Sequence, residues 1–448
     1  MFYAAWNWHF LLLIYGVIIV AYSAGRAIEA ANSNHQRTAF ATVGITISLC
    51  VLAYFKYANF FIDSLVHLAS TLGWTFSNAS IKVLLPVGIS FYTFQAISYI
   101  IDVKRRTIKC ERSLINVSVY IIFFPQLVAG PIVRAAQFIP QTKRHHKIRP
   151  ANLLFGAKLF AIGLLYKAGL SDHISHLIDP VFTDLSSYTA TSIRVATIGF
   201  YCQIYFDFAG YSIMAIGVSR MFGYRLPRNF NFPYLATSIA DFWRRWHISL
   251  SSWLRDYLYI SLGGNRISNT ITYRNLIMTM LLGGLWHGAS IMFLIWGAIH
   301  GVCLAIHRYL KPFFVKIAKA KWGTTILLLT GFIITQSLVL IAWGFFRPDN
   351  YHDSLLITKS LVGIPLNSGT KAIPTETLLF LIPLYIDHLW GYRYSPIRQW
   401  CREKIRYLFS LNTKIDRTSI EVFILGAIFS IILMMFSLKT VPFIYFQF

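Results

Sequence analysis

The sequence is poor in charged residues, and acidic residues are the scarcest of them. Only 17 of its 448 residues are Asp or Glu, against 41 Lys and Arg, and charged residues make up 13% of the chain. Soluble globular domains carry about a quarter charged residues, so this deficit excludes an ordinary soluble enzyme. Hydrophobic residues account for 56% of the chain, which indicates a protein that crosses a membrane several times.

Cysteines are few, and the common soluble catalytic motifs are missing. The chain has no GxSxG, HExxH, Walker or GxGxxG motif. Without a CxxC pair, its odd number of scattered cysteines predicts neither a disulfide framework nor a metal site: Cys50, Cys110, Cys202, Cys303 and Cys401. Internal repeats and long linkers are also absent, so we predict a single domain over residues 1–448.

Long apolar segments recur along the whole chain. We predict an all-α polytopic membrane protein with about 10–12 spanning and re-entrant helices, because only helices and closed barrels satisfy the backbone in lipid. Runs long enough to span lie at 8–24, 39–55, 83–101, 151–170, 193–219, 324–346, 376–391 and 419–438. Shorter or interrupted runs lie at 114–129, 239–262 and 275–306.

The basic residues cluster in short loops between these runs. Such clusters favour the cytoplasmic side and contact anionic lipid headgroups, so the net charge of +24 predicts topology and no nucleic-acid partner. Residues 171–192 contain three aspartates and no Lys or Arg. We therefore place this segment outside, together with 347–375. The basic clusters are 104–112, 134–149, 220–228, 244–274, 308–321 and 393–406.

His287 lies inside the apolar segment 275–306, which also contains His300. Basic residues flank both ends of this segment, which is too short for two full spans of about 20 residues each. We expect two short helices hinged at Gly283-Gly284 and Gly288. The first would rise roughly 16 Å, which predicts that His287 lies near the bilayer midplane.

A histidine at membrane depth indicates a functional site. Burial disfavours the imidazolium, and the neutral ring of His287 is the form that accepts a proton as a general base. The glycines around it would let a substrate or another helix approach closely. The alternative is a structural histidine bonded to a backbone carbonyl. His300 lies about 220° further round an unbroken helix, so we expect it to face elsewhere.

Two segments do not fit simple alternation across the membrane. Segment 114–129 is apolar but has basic loops at both ends, and segment 239–262 carries too many charges for lipid exposure. Both are expected to be re-entrant or buried by neighbouring helices, which predicts a water-accessible cavity that opens toward the cytoplasm.

Segment 239–262 offers a second candidate site. On a helix, Trp243, His247 and Ser251 would share one face, with Arg244 and Arg255 beside them. Such a face could bind an anionic ligand, with arginine on a phosphate and tryptophan on an apolar chain. An interfacial amphipathic helix with aromatic and basic anchors explains the same pattern.

A third candidate is polar and lies within a spanning helix. Gln203, Asp207 and Tyr211 recur at helical spacing on one face. An intramembrane aspartate indicates function, whereas a satisfied polar cluster that holds helices together is the structural alternative.

Several long motifs resemble one family, the membrane-bound O-acyltransferases (MBOAT), in its bacterial alginate O-acetyltransferase branch. They are LLPVGISFYTFQAISYIIDVKRR (84–106), FFPQLVAGPIVR (123–134), the stretch 203–266 that contains RWHISLS, and GLWHGASIMFLIWGAIHG (284–301). The resemblance implies a bundle of spanning and re-entrant helices around a central tunnel. It also implies that His287 of the WHG motif is catalytic, with Trp286 contacting substrate, and that His247 is the branch's second characteristic histidine.

The resemblance implies an integral-membrane O-acyltransferase of the bacterial inner membrane. We expect acetyl to move from a cytoplasmic thioester such as acetyl-CoA, with no bound cofactor or metal, to an extracytoplasmic polysaccharide such as alginate. An extracytoplasmic acetyltransferase partner protein is also expected. Two alternatives stay open: a polysaccharide or precursor transporter with Asp207 and His287 as a proton path, and a D-alanyl-type transferase that acts on teichoic acid.

Overall fold

The computed structural model of the protein describes residues 7–74, 83–366 and 369–391, together with Gly426 and Phe443. Within these residues the backbone is helical apart from turns, loops and one isolated bridge between Tyr188 and Lys371. The predicted all-α class is therefore confirmed. The predicted run at 419–438 lies almost wholly outside the described residues.

The N-terminal half of the described chain forms nine α-helices. Helices α7 and α8 are joined without a break by the π-helical turn Leu165–Ser171. The nine helices are α1 His9–Ala30, α2 Asn34–Thr71, α3 Ile89–Lys104, α4 Leu114–Ile122, α5 Phe124–Leu127, α6 Ala135–Thr142, α7 Pro150–Leu164, α8 Asp172–Thr183 and α9 Ala190–Met221.

The C-terminal half of the described chain adds six α-helices and a further helical stretch at 381–391. The π-helical turn Leu254–Tyr259 continues α11. The six helices are α10 Ile239–Arg245, α11 Ile248–Trp253, α12 Asn269–His287, α13 Ile291–Ala318, α14 Gly323–Phe346 and α15 Tyr351–Leu361. Three 3₁₀ turns lie at Leu185–Ser187, Pro233–Leu235 and Thr375–Phe380.

Five helical segments in the described part are long and apolar enough to cross a membrane: His9–Ala30, Asn34–Thr71, Pro150–Thr183, Ile291–Ala318 and Gly323–Phe346. Helix α9 has 32 residues but is more polar, and other helices cover most of its length. Membrane helices tolerate polar residues where protein rather than lipid surrounds them, so α9 forms the centre of the bundle.

Matching glycines bring α7 and α9 into close contact. A Cβ added at Gly163 would lie 2.5 Å from the carbonyl oxygen of Gly210, and one at Gly156 would lie 2.5 Å from that of Gly217. Both helices therefore place glycines seven residues apart on the shared face. Small residues at such positions let two backbones approach, which is the usual basis of helix association in membranes.

Segment 114–129 departs from the simplest topology in the way that its sequence indicates, whereas segment 171–192 differs from the predicted loop. Segment 114–129 forms only the short helices α4 and α5, too short to span. Segment 171–192 is predicted to be a loop outside the membrane. Its first part is helical instead, since α8 continues to Thr183 and Lys167 satisfies the charge of Asp172 at 2.7 Å. The side on which the segment lies stays a prediction.

Two helices with a break at Gly288 are confirmed around His287, but their expected short lengths and the hinge at Gly283-Gly284 are wrong. Helix α12 runs unbroken through Gly283 and Gly284 for 19 residues, about 28 Å, and α13 has 28 residues. Hydropathy underestimated both lengths, because the polar first turn of α12 is capped by Ser268 and the basic end of α13 stays helical. The midplane depth of His287 stays a prediction.

Candidate active site

His287 is the last residue of α12 and lies buried in a cage of aromatic rings. The ring centroids of Trp296 and Phe346 are each 5.1 Å from the imidazole, and that of Phe293 is 6.3 Å away. These three residues come from α13 and α14. The cage excludes water from most of the ring, which is the environment that acyl transfer without hydrolysis requires.

Glycines let α13 pack directly against the His287 end of α12. A Cβ added at Gly284 would lie 2.1 Å from the carbonyl oxygen of Phe293, and one at Gly297 would lie 2.4 Å from that of Met280. A Cβ at Gly288 would meet the Phe293 ring at 2.2 Å. The prediction that glycines permit close approach here is confirmed, and the approaching element is a helix.

Helix α2 caps the carbonyl groups at the end of α12. The ammonium of Lys56 donates to the carbonyl oxygen of Trp286 and, at 3.1 Å, to that of His287. The neighbouring hydroxyl of Tyr57 donates to the carbonyl oxygen of Leu285 at 2.6 Å. A helix leaves its last carbonyls without partners inside the helix, so Lys56 and Tyr57 satisfy three of these carbonyl groups.

His247 is fully buried, but it does not lie on a continuous helix. Helix α10 ends at Arg245, and His247 adopts a left-handed conformation with φ of 41° before α11 begins. The N–H of Ile248 donates to the carbonyl oxygen of Asn229 at 2.9 Å and holds this turn. The expected shared face of Trp243, His247 and Ser251 is therefore wrong.

The turn nevertheless brings His247 to the site. The ring of Trp286 lies 5.8 Å from that of His247 and 5.0 Å from that of His287. On its other side, Trp286 packs against Phe91 and Phe94 of α3. The two histidines singled out from the sequence thus share one tryptophan, which is the neighbour of His287 in the WHG motif.

His300 belongs to the same cluster, which the sequence analysis did not anticipate. Its ring is buried 4.7 Å from Trp296, and its Nδ1 accepts a hydrogen bond of 3.3 Å from the indole N–H of Trp243. The angular argument failed because the turn after His287 puts the two histidines on different, packed helices. Trp243 is therefore connected to the site by its hydrogen bond to His300.

Several buried N–H donors surround the cage. In the described part of the chain, the indole nitrogens of Trp286, Trp296 and Trp343 and the Nε2 of His300 have no hydrogen-bond partner. With Nδ1 accepting from Trp243, a neutral His300 carries its proton on Nε2. Of these four residues, Trp286 lines the cavity at His287, where its N–H suits a substrate that presents a carbonyl or hydroxyl oxygen.

The two arginines of the second candidate site have exposed side chains, whereas the backbone N–H of Ser251 donates to the carbonyl oxygen of His247 at 2.9 Å. Arg244 is 71% exposed and pairs with Asp241, and Arg255 is 65% exposed and pairs with Asp256. The hydroxyl of Ser251 donates to the carbonyl oxygen of Trp246 at 3.0 Å. The expectation that the arginines flank His247 at an anion site is wrong, because the break after Arg245 turns them to the surface.

Gln203, Asp207 and Tyr211 lie on α9 at the predicted spacing, and of these three Asp207 takes part in a buried ion-pair cluster. The ammonium of Lys167 lies 2.7 Å from carboxylate oxygens of both Asp172 and Asp207. The hydroxyl of Ser171 donates to the carbonyl oxygen of Gln203 at 3.3 Å. This arrangement supports the structural alternative, in which buried charges satisfy each other and hold α9 to the α7–α8 segment.

One cavity reaches His287, and a second cavity adjoins it at Lys56 and Leu85. The inner cavity, of about 270 Å³, is lined by Lys56, Trp286, His287 and residues 84–91. The outer cavity, of about 580 Å³, shares Lys56 and adds the polar side chains of Asn59, Asp63 and Ser64 from α2. These volumes suit a small group at the histidine and a larger molecule outside it.

The sequence matches the model of the MBOAT, membrane-bound O-acyltransferase family, over residues 108–341. This match covers more than half of the chain and contains His247, His287 and His300. The chain belongs to this family. The MBOAT assignment agrees with the helical fold and with a buried histidine at the end of the WHG helix.

Named relatives of this MBOAT protein come from several bacteria. It is 44% identical over 354 residues to the "Probable alginate O-acetylase AlgI" of Pseudomonas aeruginosa, a match that covers 78% of this chain and 65% of the relative. The Azotobacter vinelandii protein of the same name is also 44% identical over 354 residues, covering 78% and 68%. The "Peptidoglycan O-acetyltransferase" of Helicobacter pylori is 35% identical over 389 residues, covering 81% and 72%.

The match thus spans about two thirds of the length of the two alginate O-acetylases.

Proposed function

We propose that this MBOAT protein is an O-acetyltransferase of the bacterial cytoplasmic membrane, and that His287 is its general base. The donor is a cytoplasmic thioester such as acetyl-CoA, and the acceptor is a hydroxyl group of an extracytoplasmic polysaccharide such as alginate. The observation that carries the proposal is the position of His287 on a cavity, inside an aromatic cage, in a chain that is 44% identical to a relative named as an alginate O-acetylase and 31% identical to one named as a teichoic acid D-alanyltransferase.

The chemistry follows from a neutral imidazole beside a small cavity. The acceptor hydroxyl gives its proton to His287, and its oxygen attacks the thioester carbonyl. Collapse of the tetrahedral intermediate breaks the C–S bond, and the proton returns from His287 to the leaving thiolate. The indole N–H of Trp286, which lines the inner cavity, would orient the thioester, and the aromatic rings around His287 would limit hydrolysis.

The location of the cavities supports entry of donor and acceptor from opposite sides. The first turn of α2 is close to the basic loop 104–112. Lys56 lies 22 residues further along the helix, roughly 33 Å from its first residue. If basic loops are cytoplasmic, the outer cavity opens away from the cytoplasm. The acceptor, or a serine of an extracytoplasmic partner acetyltransferase, would enter there, and the thioester would approach from the basic side.

The test follows labelled acetyl from acetyl-CoA onto cell-surface polymer and partner protein in membranes normalised for folded protein. We expect His287→Ala to abolish transfer, because no other group takes the acceptor proton at this position, and the exposed His35→Ala to retain it as the matched control. Labelled D-alanine in a parallel reaction separates the D-alanyl alternative.

Transfer near the wild-type level in folded His287→Ala would refute the general-base role. If the protein is a transporter, His287→Gln, which keeps a hydrogen-bonding side chain, should move more polymer than His287→Ala. If His287 is a catalytic base, His287→Gln should be as inactive as His287→Ala.

A further inference from the structure

Helix α2 places a cation, Lys56, in the candidate active site, although no sequence motif identifies this residue. The ammonium of Lys56 bonds to the carbonyl oxygens of Trp286 and His287 and lies 3.5 Å from the hydroxyl of Ser90. No carboxylate pairs with it in the part of the chain that the structure describes. Its charge is therefore balanced only by the dipoles of carbonyl and hydroxyl groups.

Capping of α12 does not by itself explain a charged residue here. Tyr57 caps the preceding carbonyl, that of Leu285, with a neutral hydroxyl at 2.6 Å. A neutral donor therefore suffices for this purpose. A lysine within a helix that is long and apolar enough to span a membrane is expensive, and such residues are rarely present without a function that needs their charge.

The cavities show where that charge acts. Lys56 lines both of them, so it lies at the point where the outer cavity meets the inner one. Among the residues that line the inner cavity, Lys56 and His287 are the two titratable side chains, and the others are apolar, aromatic, glycine or serine. A substrate carbonyl beside His287 would therefore lie within the field of one uncompensated cation.

We propose that the Lys56 ammonium stabilises the negative charge that develops on the acyl carbonyl oxygen during transfer. This inference rests on the proposed function. As the acceptor oxygen bonds to the carbonyl carbon and its proton moves to His287, the carbonyl π electrons become an oxyanion next to Lys56. Breaking of the C–S bond restores the carbonyl, and His287 protonates the thiolate. In a site of low dielectric constant, a fixed positive charge at this position lowers the barrier.

Three substitutions separate the charge of Lys56 from its hydrogen bonds. Lys56→Arg keeps a charge and donors, Lys56→Gln keeps an N–H donor for the carbonyls without the charge, and Tyr57→Phe removes only the neighbouring cap. We expect Lys56→Gln to lower kcat about 100-fold with little change in KM for the thioester, since the oxyanion exists only after the donor has bound. Lys56→Arg should keep at least a tenth of the wild-type kcat, and Tyr57→Phe should stay within about threefold.

The outcomes distinguish the two roles. If Lys56→Gln, Lys56→Arg and Tyr57→Phe all have similar kcat values, Lys56 is only a cap and the proposal is overturned. Should Lys56→Gln fail to fold, Lys56→Ala with added ethylammonium or ethanol replaces it: restoration by ethylammonium alone supports the charge, and any other result overturns it. A wild-type protein without acyl transfer refutes the proposed function itself, whereas an active wild type with an equally active Lys56→Gln refutes only this inference.

Discussion

At the scale of the residue, three buried histidines meet through two tryptophans. Trp286 contacts His247 and His287, and Trp296 contacts His287 and His300. The sequence identified the first two because each lies in a recognisable motif. It misplaced His300, because an angle computed along one helix has no meaning across the turn that follows His287.

Long-range contacts account for the other residue that the sequence analysis missed. Lys56 and Trp286 are 230 positions apart, and no periodicity within a helix reports such a contact. One local signal was present, since a lysine next to the apolar run 39–55 suggests a buried charge. Only the packing of α2 against the end of α12 shows what that charge contacts.

His247 allows its backbone role to be separated from its ring chemistry. Its φ of 41° is in the left-handed region, which glycine adopts freely and alanine does not. We expect His247→Ala to lower the free energy of unfolding by about 1 kcal/mol more than His247→Gly, measured by thermal unfolding in detergent.

Acetyl transfer by the same two variants tests the ring of His247. If the imidazole takes part in the reaction, folded His247→Gly is as inactive as His247→Ala. Full activity of the glycine variant would assign His247 to the turn alone. Equal stability of the two variants would show that the left-handed conformation is not retained.

At the scale of the element, hydropathy predicted where helices exist better than where they end. The run 324–346 became α14, Gly323–Phe346, almost residue for residue, because lipid-exposed apolar residues continue to both of its ends. Helices α8 and α12 extend well past their apolar cores. Their polar turns remain helical because Lys167 pairs with Asp172 and Ser268 caps α12.

The glycine contacts between α7 and α9 yield a sharp prediction for these elements. Gly210→Leu would force a side chain against the backbone of Gly163, only 2.7 Å from the position of an added Cβ. We expect a loss of about 1–3 kcal/mol in the free energy of unfolding and a lower melting temperature in detergent.

The matched control for Gly210→Leu is Gly16→Leu in α1, where an added Cβ meets no atom within 4 Å. That variant should unfold close to the wild-type temperature. If both variants melt alike, the close approach of α7 and α9 does not contribute measurably to stability.

At the scale of the whole molecule, the charge distribution predicts how the chain is oriented in the membrane and therefore on which side each proposed substrate enters. The excess of Lys and Arg over Asp and Glu lies in loops such as 104–112 and 308–321, whereas the turn after α8 carries Asp184 and no Lys or Arg. The helical segment Pro150–Thr183 joins a basic loop to this acidic turn and is long enough to cross the membrane. The basic loop before Pro150 and the acidic turn after α8 should therefore lie on opposite faces of the membrane.

Thiol labelling tests this orientation and, with it, the direction of acetyl movement. Ser186, in the acidic turn, and Arg112, with 81% of its side chain exposed, are replaced singly by Cys in a protein whose exposed Cys50 is Ala. We expect an impermeant maleimide to label Ser186→Cys in intact spheroplasts and Arg112→Cys only in inverted vesicles. Labelling of both in spheroplasts would place them on one face. The reverse pattern would invert the molecule, so that the outer cavity at Lys56 would receive the cytoplasmic thioester rather than the acceptor.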